Sequence, residues 1–204
     1  NLEAEAPKDD FDFYMKQAQE NWTKELAKIE VTSDDADKKT IFYTAMYHAM
    51  LAPTIYSDVD GSYFGPDGQV HQAEGWTNYS TFSLWDTYRA SHPLFTYLQP
   101  ERVSDMIQCF LHFYEQNGAL PLWNLYGWET DMMIGYHAVP VIVDAYLKGI
   151  KGFDAERAFK AMTSSATYDK QKGVPFVMEK GYIPCDKVRE ATSIAMEYAV
   201  GDWG

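Results

Sequence analysis

The sequence predicts an all-α fold, with helices packed as consecutive antiparallel pairs in layers or a toroid. Three observations lead there. Apolar residues recur at helical spacing along most of the 204 residues, strand-like alternation is scarce, and Gly, Pro and short polar residues sit where helices would start and stop. About seven helices are expected, in a single region covering 1–204. No fixed repeat marks a solenoid.

The elements follow in order. Over 10–29, Phe11, Tyr14, Met15, Ala18, Trp22, Leu26 and Ile29 form one apolar stripe with Lys and Glu between them, which predicts an amphipathic helix. Thr32, Ser33 and Asp34 offer side-chain oxygens to free backbone N–H groups and open a second helix through Ile41, Ala45, Ala49 and Met50, stopped by Pro53. Between 56 and 75, Asp60-Gly61 and Pro66-Asp67-Gly68 set tight turns, so the stretch is an irregular loop or a small β-hairpin. Helical spacing returns after Phe82 through Leu84, Tyr88 and Leu94, disturbed at Pro93. Pro100 suits a first helical turn, and Asn117-Gly118 closes the helix expected over 101–116.

A polar, aromatic loop over 118–130 leads into 132–148, a markedly apolar and therefore buried helix that contains Pro140 and ends at Gly149. Two more helices, over 154–165 and from 187 onward, flank a Gly- and Pro-bearing loop over 168–184. The last still reads as helix at Gly201-Asp202-Trp203-Gly204, as expected of a piece of a longer polypeptide.

Charge narrows the function. A formal net charge of -13 and a pI near 4.7 argue against nucleic acid, because phosphate binding needs clustered Lys and Arg, and no such cluster occurs. No apolar run approaches the ~20 residues that span a bilayer. The two cysteines, Cys109 and Cys185, lack any disulfide-scaffold or zinc spacing and are expected as buried small hydrophobes. Six Trp, 15 Tyr and 11 Phe make the chain rich in flat aromatic faces, which suits either a helical core or sugar rings.

Ligand-gripping residues concentrate in two segments, 79–93 and 120–137, each with a Trp beside an acid: Trp85-Asp86 and Trp128-Glu129. A pyranose offers a C–H face to an indole and a ring of hydroxyls to a carboxylate, so this pairing suits carbohydrate. Asp86 and Glu129 are accordingly expected to open toward one shared concavity. Plainer readings compete: Asp86 as a first-turn acid favoured by the helix dipole, Arg89 as its salt-bridge partner three residues on, and His137 as a satisfied core histidine. Asp58, Asp60 and Gly61 lack the remaining ligands of a calcium loop and read as a turn. Serine-hydrolase, P-loop, dinucleotide and zinc-protease signatures are absent, which leaves carboxylate chemistry.

Longer motifs carry a resemblance. Phe82-Ser83-Leu84-Trp85-Asp86-Thr87-Tyr88-Arg89-Ala90 with His92-Pro93-Leu94 is one. Others are Gly127 and Glu129-Thr130 with Met133-Ile134-Gly135 and His137, and Pro140-Val141-Ile142 with Asp144-Ala145-Tyr146 and Lys148-Gly149-Ile150. Together with Tyr182-Ile183-Pro184 and Val188-Arg189-Glu190-Ala191, they resemble the catalytic domain of glycoside hydrolase family 92 across nearly the whole chain.

That resemblance implies an exo-acting, inverting, calcium-dependent α-mannosidase, secreted or periplasmic, acting on a mannose-containing glycan with α-1,2 linkages. It also implies the N-terminal part of an (α/α)6 toroid, with a β-sandwich domain and the rest of the toroid lying outside this chain. The general acid, the base and most calcium ligands are expected downstream of Gly204, and no metal ligand is assigned within it. The residues carried over as substrate-binding are Asp86, as a hydroxyl-binding acid, and Trp85, Arg89, Trp128, Glu129 and His137. A non-catalytic carbohydrate-binding module, or an (α/α)6 glycosidase for another sugar, would keep the same aromatic and acidic pairs.

Overall fold

The computed structural model describes residues 2–204. Helices dominate it. α1 (Leu2–Glu5), α2 (Phe11–Leu26) and α3 (Ala36–Ala49) are followed by five short strands, β1 (Thr54–Ile55), β2 (Ser62–Phe64), β3 (Val70–Gln72), β4 (Tyr79–Ser80) and β5 (Phe82–Ser83). Then come α4 (Leu84–Thr87), α5 (Ser91–Leu98), α6 (Pro100–Asn117), β6 (Trp123–Leu125) and β7 (Trp128–Glu129). α7 (Ala138–Leu147), α8 (Ala155–Ala166), α9 (Val174–Lys180) and α10 (Ala191–Trp203) complete the order.

α6 is the axis of the core. Its apolar stripe buries Val103, Met106, Ile107, Phe110 and Leu111 against α5, α7 and α8, and Leu84, Phe95, Ile142, Ala161 and Ile194 complete the cluster. Both expected punctuation marks hold: Pro100 stands in the first turn, and Gly118 closes the helix at φ 91°, a left-handed C-cap that glycine adopts without strain. α2 and α3 pack on each other as a pair set off this core. They touch through the Trp22 and Tyr47 rings, 4.6 Å apart, and the pair is tied down at Glu25, which accepts from Gln99 Nε2 (2.9 Å) and Arg102 Nη2 (3.1 Å).

The stretch 56–75 holds the small hairpin expected as one alternative there, β2–β3, with Tyr63 facing His71. Three other elements need correction. The loop expected over 118–130 holds a second hairpin, β6–β7, whose two-residue connection Tyr126-Gly127 has positive φ at both positions (48° and 83°), the pattern of a type I′ turn. The helix expected from 132 begins at Ala138. Asp131, Met133 and Gly135 all take positive φ, which no right-handed helix accommodates, and Pro140 falls in the first turn of α7, where its missing N–H costs no intrahelical bond. Finally, the loop over 168–184 contains α9, started at Val174-Pro175 and flanked by left-handed Gly173 and Gly181. Cys109 is buried as expected, whereas Cys185 is exposed.

Candidate functional site

The two polar, aromatic segments meet in a three-stranded antiparallel sheet. β5 pairs with β6, setting Ser83 opposite Trp123 and Phe82 opposite Asn124, and β6 pairs with β7. Beneath the turn, Ser80 Oγ donates to Asn124 Oδ1 (2.7 Å) and accepts from the Tyr126 N–H (2.7 Å), so buried polar groups lock the strands in register.

Beside this sheet lies a concavity of about 910 Å³ bordered by Trp85, Trp128, Glu129, Asp131, Met132, Met133, Ile134, Tyr168, Lys170 and Lys172, with Ile194 and Tyr198 of α10 behind. Its mixture of flat aromatic faces and a few polar groups suits a small organic ligand with apolar and hydroxylated sides. Trp85, Trp128 and Glu129 thus share one wall system, although they are distant in sequence.

Glu129 is held by its own loop. Oε2 accepts from the Leu122 N–H (2.8 Å), and Oε1 accepts from the N–H groups of Trp123 (3.0 Å), Thr130 (2.9 Å) and Asp131 (3.0 Å). Burial pushes its pKa up, against the pull of those backbone donors. The carboxylate therefore shapes the loop that presents Trp128, which is half exposed and packs on Phe64.

Asp86 does not border the concavity. It is exposed at the first turn of α4 and accepts a hydrogen bond from Ser83 Oγ. Arg89 does not pair with Asp86. Its Nε donates to the Trp85 carbonyl (3.1 Å), its Nη2 donates to Glu197 Oε1 (3.2 Å), and its guanidinium lies 5.2 Å from the Trp85 ring centre and 4.7 Å from that of Tyr88.

His137 is buried just before α7, its ring stacked on Tyr88, with Nε2 3.0 Å from Glu197 Oε2. The pair is a close polar contact without aligned hydrogen-bond geometry. Burial lowers the His137 pKa, with Glu197 pulling it back up and Arg89 adding to the lowering.

The whole of residues 1–204 matches the model of the glycosyl hydrolase family 92 catalytic domain. The chain belongs to glycosyl hydrolase family 92. The family 92 chain superposes at a TM-score of 0.91 on a GH92 α-mannosidase from Bacteroides thetaiotaomicron solved in complex with mannoimidazole, with 44% identity over 95% of this chain and 26% of that one. It superposes at 0.90 on a GH92 inverting mannosidase from Bacteroides thetaiotaomicron VPI-5482, with 32% identity over 100% of this chain and 29% of that one. The chain therefore spans between a quarter and a third of the length of these solved relatives. No curated protein matches it.

In the family 92 chain, two neighbours of the site escaped the sequence reading. Tyr88 looked like one more core aromatic, and Glu197 lies on α10 in a run that reads only as an apolar helix. Only the fold brings it against Arg89 and His137.

Among the described residues no group of three or more His, Cys, Asp or Glu could hold a metal ion. Asp60 spends its carboxylate on the N–H and hydroxyl of Ser62, as a turn does. Among the described residues no helix is long and apolar enough to cross a membrane.

Proposed function

We propose that the polypeptide carrying this chain releases terminal mannose from α-mannosides, α-1,2-linked units of glycans foremost, by an inverting and calcium-dependent mechanism. The observation that carries this reading is the 44% identity to an α-mannosidase over 95% of the chain, in a segment that builds a concavity walled by Trp85 and Trp128. Such a wall suits the C–H face of a mannose ring, and Asp86, next to Trp85 in sequence though outside the lining, is an exposed carboxylate able to accept from sugar hydroxyls.

Inversion needs an acid and a base on opposite sides of the scissile bond, roughly 6.5 to 9.5 Å apart, with a water between them. Glu129 is a poor candidate for either role, because its oxygens already accept four backbone N–H groups. The catalytic pair and the calcium donors are proposed to come from parts of the polypeptide outside this chain, in an (α/α)6 toroid to which α2 through α10 contribute and which a β-sandwich domain accompanies. Location outside the cytoplasm, secreted or periplasmic, is part of the same proposal.

The test is hydrolysis by the full-length polypeptide of α-1,2-, α-1,3- and α-1,6-linked mannobiosides, with the anomer first released followed by NMR. Release of β-mannose, fastest from the α-1,2 substrate, is expected. Release of α-mannose would remove inversion, and turnover of another glycoside alone would move the enzyme to another sugar.

A further inference from the structure

We infer that Glu197 is a positioning residue for this site, its two carboxylate oxygens fixing Arg89 and His137 and, through them, the Trp85 wall of the concavity. The inference deepens the proposed function and rests on it.

The geometry is a relay of contacts. Oε1 of Glu197 accepts from Arg89 Nη2 at 3.2 Å, and Oε2 lies 3.0 Å from His137 Nε2. Arg89 is held at its other end by the Trp85 carbonyl, so its guanidinium lies close to both the Trp85 and Tyr88 rings. Tyr88 in turn stacks on His137. Three segments thus converge on one carboxylate: the turn after α4, the loop before α7, and α10.

An arginine in the exposed turn after a short helix has many rotamers, and a carboxylate opposite its fork selects one of them. The Glu197 side chain is 18% exposed and that of His137 is 2% exposed, while that of Arg89 is 48% exposed, so solvent partly screens the Arg89–Glu197 pair and its effect lies in fixing the guanidinium more than in stability. Arg89 supplies the full positive charge that Glu197 faces. Nothing in the local sequence of α10 marks this role; Tyr198, the next residue, serves the structure instead, donating to the Lys172 carbonyl at 2.6 Å.

The experiment compares Glu197→Gln and Glu197→Leu with the wild type in the full-length polypeptide, reading kcat and KM separately on an α-mannobioside and solving the variant crystal structures. Glutamine can present its oxygen to Arg89 and its NH2 group to the ring nitrogen of His137, so it should hold KM within about threefold. Leucine removes both contacts and should raise KM about tenfold, the scale of one lost charge-assisted hydrogen bond, with a smaller change in kcat and with Arg89 displaced from Trp85. Wild-type KM in Glu197→Leu would overturn the inference, as would equal losses in both variants that track the folded fraction alone. If the wild type hydrolyses no α-mannoside, the proposed function fails. The crystal structures then still decide positioning, since Arg89 and Trp85 unmoved in Glu197→Leu would overturn it.

Discussion

The rings of Tyr88 and His137 stack with centroids 4.2 Å apart and planes within 2° of parallel, although one residue follows α4 and the other precedes α7. The stack needs the loop over 131–137 to bring His137 inward, and Gly135 makes that path available. Gly135 sits at φ 86°, and a Cβ there would lie 2.3 Å from His137 Nε2.

Gly135→Ala should therefore be strongly destabilising. Two penalties combine, a left-handed backbone under a side chain and a collision with a buried ring, and together they should cost about 2 to 4 kcal/mol. Denaturant unfolding of the full-length polypeptide measures it; a loss within a few tenths of a kcal/mol of zero would mean that the loop relaxes freely and that His137 is not fixed by it.

Glu129→Gln tests whether that carboxylate is an architectural acceptor. The amide oxygen can replace only one of the two accepting atoms, and the NH2 group would face a backbone N–H, leaving a buried donor without a partner. A loss of about 2 kcal/mol is expected, with substrate affinity falling because Trp128 loses its support. Stability equal to the wild type, measured by thermal unfolding, would show that the loop does not depend on the charge.

α6 was legible because its signals are local: an apolar stripe, Pro100 at the first turn, Gly118 at the cap. The start of α7 was not. Met132, Met133 and Ile134 supply helical hydrophobicity, but Asp131, Met133 and Gly135 take left-handed backbone, and a methionine at such a position gives no signal in sequence. The Tyr126-Gly127 turn escaped for a related reason, since an aromatic at a left-handed position is a rare choice for a type I′ turn and gives no Asn-Gly style signal. Trp85, Trp128 and Glu129, which border the concavity, sit in segments that the sequence already marks as motif-dense. Glu197 carries no such mark, because its partners Arg89 and His137 meet it only in the folded chain.

His92 gives the chain an acid-sensitive point. It is buried among Phe82, Phe95 and Phe110, and among the described residues neither ring nitrogen finds an aligned hydrogen-bond partner. Burial lowers its pKa from 6.5 to about 4, slightly opposed by the Thr87 backbone. The folded value lies below the unfolded one, so the unfolded state takes up the proton first as pH falls. Stability is full above pH 6.5 and declines between 6.5 and about 4, by about 3 kcal/mol from this group. Thermal midpoints of wild type and His92→Leu across that window check it: the variant should lose less stability on acidification, and parallel curves would exclude His92 as the source.

The last prediction separates binding from catalysis. The 204-residue chain alone should hydrolyse no α-mannoside, whereas the full-length polypeptide should, and should lose activity when calcium is chelated. General acid assistance typically contributes ~10² to 10⁴-fold, so a wall of aromatic and hydroxyl-binding residues without the acid, base and metal should give almost no rate. In the full-length polypeptide, Asp86→Ala should lower kcat/KM by about 10²-fold, because a hydroxyl contact that tightens as the oxocarbenium-like state forms contributes to rate as well as to binding. Ser83→Ala is the control: it removes the hydroxyl that donates to Asp86 while leaving the carboxylate, and should cost far less. Parallel kinetics on these four proteins give the answer. Robust turnover by the chain alone would place the catalytic pair within residues 1–204, and an unimpaired Asp86→Ala would remove Asp86 from the sugar site, in keeping with its place outside the concavity lining.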